Sequence, residues 1–145
     1  MRILVIGAGG VGSAFVPTAL RRDFFHHLVV ADYDAARATA VAERAADPRV
    51  SAGRVDASDR EAIAALIREQ RVSHVLNAVD PRFVMPIFDA SLAAGANYLD
   101  MAMSLSRPHP EKPHELPGVK LGDEQFARAA DWEAAGRLAL VGMGV

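Results

Sequence analysis

Met1-Arg-Ile-Leu-Val-Ile-Gly-Ala-Gly-Gly-Val-Gly12 is the stretch whose reading decides the fold. Ile3 to Ile6 are four apolar residues in a row, the pattern of a strand buried on both faces. Gly7, Gly9 and Gly12 follow at G-x-G-x-x-G spacing. At that spacing the first glycine permits a tight turn out of the strand. The second lets backbone approach a pyrophosphate, and the third lets the next helix pack close to the strand. The opening of that helix offers free N–H groups and a partial positive charge to phosphate oxygens. Gly7, Ala8, Gly9, Gly10, Val11 and Gly12 are therefore the first candidate cofactor-binding residues. Three features of context support them: the glycines follow a strand, they open an apolar stretch, and an acid, Asp32, stands twenty residues past Gly12.

Asp32 ends a second apolar run, Leu28-Val-Val-Ala31. A carboxylate at the end of the second strand of such a unit accepts hydrogen bonds from the adenosine ribose hydroxyls. It also repels a 2′-phosphate: two unit charges ~4 Å apart interact by about 4 kcal/mol at an effective dielectric near 20. That favours NAD over NADP unless a cation intervenes, and Arg37 is the nearby cation. A plain turn acid is the other reading of Asp32. His26 and His27 fall in the turn before this strand and read as solvated rather than as metal ligands.

The remaining chain repeats the alternation of strand and helix. Pro17 lies inside the first helix, expected to run to about Arg22, so a kink or an outward-turned ring is expected there. Asp34 is placed to cap a helix over 35–46, which Asp47-Pro48 stops. Val50 to Val55 reads as the third strand. Ser58 with Glu61 has the spacing of a capping box for a helix reaching Gln70. Asp56, between strand and cap, is either an adenine or ribose neighbour or a loop acid. Ser73 to Ala78 is the fourth strand, and Asn77, Ala78 and Val79 close it where the strand order of a doubly wound sheet reverses. Those three should border the ribose and nicotinamide half of a cofactor. His74, at the start of that strand, reads as a packing or edge residue. After a turn at Asp80-Pro81-Arg82 comes a helix from Phe83 to Ala94, closed by Gly95, and a short fifth strand, Asn97-Tyr-Leu-Asp100.

Residues 101–121 hold half of the eight prolines, together with His109, Lys112 and His114. So long a segment is expected to overhang the cofactor cleft. Its histidines can be read as acid–base groups or as part of a solvated excursion. Asp123 is placed to cap a helix to Ala135, with Phe126 and Trp132 facing the sheet, and Leu138 to Val141 is a sixth strand. The architecture expected is α/β: a Rossmann-type doubly wound parallel sheet of order 3-2-1-4-5-6, one dinucleotide-binding domain over 1–145. The chain stops where a substrate domain would begin, which is the expectation for a fragment of a longer two-domain protein. The apolar faces that a missing domain would leave are open to self-association, a homodimer being its simplest form.

Bulk properties narrow the function classes. A net charge of −2 without a basic run argues against nucleic acid or an anionic membrane as partner. With no cysteine there is no disulfide, thiolate nucleophile or Cys-ligated zinc, and no metal site is expected. No apolar run approaches the ~20 residues of a membrane span, and the cytoplasm is the compartment expected.

Several stretches taken together resemble the N-terminal nucleotide-binding domain of the saccharopine dehydrogenase family. They are Gly-Ala-Gly-Gly-Val-Gly at 7–12, Val-Asp-Ala-Ser-Asp at 55–59, Leu-Asn-Ala at 76–78, Ala-Gly-Ala-Asn-Tyr-Leu-Asp at 94–100 and the closing Gly-Met-Gly-Val. The resemblance implies a pyridine-nucleotide oxidoreductase acting on a carbon–nitrogen bond of an amino-acid or polyamine-like small molecule. It places Gly7, Gly9, Gly12, Asp32, Asp56, Asn77 and Ala78 at nucleotide-site positions, and it transfers no catalytic residue, because the substrate half is not in this chain. The family's domain is described as NADP-binding, whereas Asp32 here points to NAD. The alternative from another class is a nucleotide-sensing regulatory domain without catalysis, of similar length and with the same opening loop but no need for the 101–121 excursion.

Overall fold

The computed structural model describes residues 1–144. Its centre is a six-stranded, all-parallel sheet of order β3-β2-β1-β4-β5-β6. The strands are β1 (Arg2–Ile6), β2 (His27–Asp32), β3 (Val50–Arg54), β4 (His74–Asn77), β5 (Asn97–Asp100) and β6 (Ala139–Leu140). The helices are α1 (Gly10–Ala19), α2 (Ala35–Ala45), α3 (Arg60–Glu69), α4 (Val84–Ala93) and two short ones, α5 (Asp123–Phe126) and α6 (Ala129–Ala134). A 3-10 turn, Pro81–Phe83, leads into α4. The expected strand order is the one found.

The alternation of Cβ directions along β1 divides the core in two. Ile3 and Val5 join Val16, Ala19, Leu28, Val30, Ala38 and Val41 on the face covered by α1 and α2. Leu4 and Ile6 join Ile63, Ile67, Val75, Ile87, Phe88 and Trp132 on the face covered by α3, α4 and α6. Covering both faces is what allows the strands to be continuous apolar runs. Burying each such side chain contributes roughly 1.5–3 kcal/mol. Phe88 holds the second face together, with ring centroids 5.2 Å from Tyr98 and 4.9 Å from Trp132.

Several local expectations are corrected. α1 starts at Gly10, earlier than the third glycine, and ends at Ala19 rather than Arg22. Pro17 stays inside it with the ring exposed, the outward arrangement anticipated. His27 is the first residue of β2, where its Nε2 pairs with Ser51 Oγ at 2.8 Å. Asp59, not Ser58, caps α3 through Ala62 N at 2.9 Å. The Ser58 hydroxyl is already taken by Asp56 Oδ1 at 2.7 Å, so no capping box forms. The single helix expected over 123–135 is two, separated at Ala127–Arg128, where Arg128 bonds Asp89 of α4 and Asp131. Gly122 is the N-cap residue of α5, and Asp123 reaches back to Lys120 N. Trp132 is buried as expected, but Phe126 is 58% exposed and does not face the sheet.

Candidate functional site

The loop between β1 and α1 is shaped by contacts that only glycine satisfies. Gly7 has φ +109°, donates its N–H to Ala31 O at 2.7 Å, and would press a Cβ against Ala78 O. At Gly12 a Cβ would fall inside the volume of Gly7 O, so α1 rests directly on the strand's exit. Gly9 and Gly10 differ. A Cβ on either would meet nothing within 4 Å, and Gly9, with φ −74° and ψ −161°, has an extended backbone open to any residue. Protein packing therefore explains Gly7 and Gly12 and leaves Gly9 and Gly10 unexplained.

The helix that begins there is also left open. Asp34 caps α2 and Asp59 caps α3 through side-chain oxygens. α1 has neither a side-chain cap nor an acid in its first turn. Its first amides point outward as unsatisfied donors with the positive end of the helix dipole behind them. A diphosphate fits this cradle in charge and in room.

Asp32 stands at the carboxyl end of β2, 8% exposed. Its Oδ2 accepts the Ala8 N–H at 2.8 Å, and its Oδ1 accepts the Asp34 N–H at 2.9 Å. The same carboxylate thus holds the glycine loop in position and faces a cleft of about 390 Å³. Gly7, Asp32, Asp56 and Val79 all line that cleft, together with Tyr33, Arg37, Ser58 and Phe83. Arg37 Nη1 lies 3.7 Å from Asp32 Oδ1 at the rim. Asp56 accepts both the N–H and the hydroxyl of Ser58, and these bonds hold its carboxyl below the usual range.

Two expected site residues act from beneath. Asn77 is buried; its Nδ2 donates to Tyr98 Oη at 3.0 Å and its Oδ1 accepts Val79 N at 3.2 Å. Its side chain is committed to the protein, and what it offers the crevice is the position of Val79. Ala78 N donates to Ile6 O at 2.8 Å, which fixes the switch point between β1 and β4.

The parallel register of β4 and β5 brings Asn77 opposite Asp100, and a buried polar chain follows from it. The Tyr98 hydroxyl donates to Asp100 Oδ2 at 2.8 Å, Gln125 Nε2 donates to the same oxygen at 2.8 Å, and Gly142 N donates to Oδ1 at 2.7 Å. Burial, and then the neighbouring Asp100 charge, push the Tyr98 phenol well above its ordinary value, so it stays a neutral donor. Sequence reasoning missed this network, and it missed Tyr33 and Phe83 on the wall of the Asp32 cleft. Tyr-Leu-Asp at 98–100 was visible, but Gln125 and Gly142 carry no local pattern that ties them to it.

The 101–121 excursion does not cover the Asp32 cleft. Arg107 and Val119 form an antiparallel bridge that folds it back on itself. Its residues 104–107 line a neighbouring cleft with Pro81, Arg82, Met85 and Glu124. His109 Nδ1 accepts Lys112 N at 3.1 Å, and His114 is exposed. Among the described residues no group of three or more His, Asp or Glu is placed to hold a metal, and no helix is long and apolar enough to cross a membrane.

Comparison with known proteins agrees with this fold. Residues 3–140 match the family model of the saccharopine dehydrogenase NADP binding domain. Carboxyaminopropylagmatine dehydrogenase of Synechocystis sp. is 26% identical over 145 residues, covering 99% of this chain and 34% of that protein. Carboxynorspermidine synthase of Vibrio cholerae is 28% identical over 153 residues, covering 99% of this chain and 36% of that protein. The chain thus spans about a third of the length of these curated relatives. Among solved structures, apo saccharopine dehydrogenase (L-Glu forming) of Saccharomyces cerevisiae superimposes with a TM-score of 0.71 at 15% identity, over 98% of this chain and 27% of that one. Thermus thermophilus UDP-glucose 4-epimerase, in complex with NAD, gives 0.58 at 21% identity, over 96% and 54%. These two likenesses concern the fold; the match over nearly the whole sequence establishes that the chain belongs to the saccharopine dehydrogenase NADP-binding domain family.

Proposed function

We propose that this chain is the cofactor-holding part of an NAD-dependent oxidoreductase that acts on a carbon–nitrogen bond of a carboxylated, polyamine-like amine. The observation that carries the reading is the open glycine cradle: a glycine at position 9 that packing does not require, above an uncapped helix. The substrate class is taken from the two relatives, whose names describe carboxylated amines.

In this reading the amides of Gly9 to Gly12 hold the diphosphate, with the dipole of α1 behind them. Asp32 accepts the adenosine ribose hydroxyls while keeping its bonds to Ala8 and Asp34; a carboxylate has lone pairs for both tasks. Asp56, Tyr33 and Phe83 border the adenine side. Val79, set by Asn77, borders the nicotinamide half, and Gly7 lets the chain pass beneath. Asp32 selects NAD by repelling a 2′-phosphate, an effect that Arg37 at the rim offsets only in part. The bound nicotinamide supplies or takes the hydride; the protein residues here bind, orient and exclude water.

The test compares two alanine substitutions. Gly9→Ala should cost no more than about 1 kcal/mol of stability, the scale of an N-cap change, and should weaken NADH binding at least about tenfold. Gly12→Ala should destabilise the fold by about 3 kcal/mol or more, because the methyl has no room. Thermal melts and NADH fluorescence titrations read both effects. NADH affinity unchanged in Gly9→Ala removes the cradle from the site.

A further inference from the structure

A second cleft, of about 280 Å³, opens at the carboxyl edge of the sheet between the turn after β4 and residues 104–107 after β5. Arg82, Arg107 and Glu124 stand on its walls, with Met85 and Leu105 supplying apolar surface. Pro81, also on the wall, is two residues past Val79, so this cleft adjoins the nicotinamide half of the crevice.

Both guanidiniums are held and still have donors to give. Arg82 is fixed by Asp80 through Nε at 3.0 Å and Nη2 at 3.2 Å. Arg107 is fixed by Glu124 through Nη2. A guanidinium carries five N–H donors, so Nη1 of each, and Nε of Arg107, remain for a ligand.

Ser104 supplies the second, independent observation. It lines this cleft and is 2% exposed, yet its hydroxyl has no hydrogen-bond partner among the described residues. Its backbone is fully used: Ser104 N donates to Gln125 Oε1 at 2.8 Å, and Ser104 O accepts Gly122 N at 2.9 Å. A buried hydroxyl with a fixed backbone and no partner is a departure from the ordinary pairing of buried polar groups. The oxygen is closed to solvent, so an acceptor seated in the cleft reaches it only where the wall yields.

We infer that this cleft binds the α-amino carboxylate head of the substrate. The carboxylate takes donors from Arg82, Arg107 and the Ser104 hydroxyl, and the ammonium faces Glu124. Charge agrees: two guanidiniums, each paired with one carboxylate (Asp80 and Glu124), present both signs to the two ends of a zwitterion. Arg–carboxylate pairing gives directional as well as electrostatic recognition. The inference rests on the reading of the chain as the cofactor-holding part of an amine oxidoreductase, since that places a substrate beside Val79.

The experiment is an NMR titration of the 15N-labelled chain with L-norvaline, a zwitterion, and with n-butylamine and butyrate, which each carry half of its head. Norvaline should shift the amides of Ser104, Ser106 and Arg107 and the Nε signals of Arg82 and Arg107, and butylamine should not. Arg107→Gln should raise the apparent Kd at least about tenfold. Ser104→Ala should weaken binding with no change in melting temperature, because the hydroxyl holds nothing in the fold. Norvaline leaving these signals unmoved, acting equally on Arg107→Gln, or binding no tighter than butyrate would overturn the inference. NADH added to the same sample reports separately through the amides of Gly9, Gly10 and Val11. A normal NADH response with no norvaline response sinks this site alone, whereas no NADH response sinks the reading it rests on.

Discussion

The carboxylate of Asp32 accepts the Ala8 amide with one oxygen and the Asp34 amide with the other, so the loop's shape depends on the side chain that, in the proposed reading, also selects the cofactor. Asp32→Ala should therefore act twice. Leaving the buried Ala8 N–H without its acceptor should cost about 1–3 kcal/mol of stability. Losing the charge should also bring the NADH and NADPH affinities together, with NADH binding falling at least about tenfold. Parallel fluorescence titrations of both nucleotides measure it. An undiminished preference for NADH in the variant would take cofactor selection away from Asp32. Asp32 was legible in the sequence because strand end and spacing converge on it. Its grip on Ala8 was not, since the two residues meet only when β2 lies beside β1.

Among the elements, the strands were the most legible, because a doubly covered sheet writes itself as apolar runs. The caps were less so. Ser58 and Asp59 are adjacent, both suited to an N-cap, and the choice falls to Asp59 because Asp56 has engaged the Ser58 hydroxyl. The helix over 123–135 contains no proline or glycine before Gly136, so its break left no local mark. At the start of β4 the prediction concerns pH. Asn97 Oδ1 accepts Leu138 N, which turns its amide so that Nδ2 donates to His74 Nε2 at 3.0 Å. His74 Nδ1, 2.9 Å from Ser73 Oγ, then carries the proton, and the ring is neutral. Burial, and then the positive N-terminus and Arg137, hold its pKa below the ordinary value. His27 is shifted the same way by burial and Arg2. A histidine with a lowered folded pKa binds fewer protons folded than unfolded. Its stabilising effect is complete above about pH 6.5 and is lost as pH falls from there through the folded value. Melting temperature should drop on acidification below about pH 6.5, and less steeply in His74→Gln. A melting curve that does not respond to pH there would show that neither ring matters.

At the scale of the whole molecule, the buried chain Asn77–Tyr98–Asp100–Gln125 ties β4, β5, α5 and the last turn into one unit. Asn77, Tyr98 and Asp100 stood out singly in the sequence, but their connection did not, because Asn77, Gln125 and Gly142 lie far from the Tyr98–Asp100 pair and meet it only through the fold. Tyr98→Phe keeps the ring packed on Phe88 and Trp132 but strands the Asn77 amide and removes one donor from Asp100. It should lower stability by about 1–3 kcal/mol, read from the urea midpoint at unchanged slope. A near-neutral result would mean that the polar chain is dispensable to the fold.

Asp100 has one further consequence. Gly142 hangs from Asp100, Asp100 from Tyr98, and Tyr98 from Asn77, three hydrogen bonds in series. A tug on the outgoing backbone is therefore transmitted to the floor of the crevice beside Val79. The last turn and Val79 are thus joined by one unbroken run of hydrogen bonds.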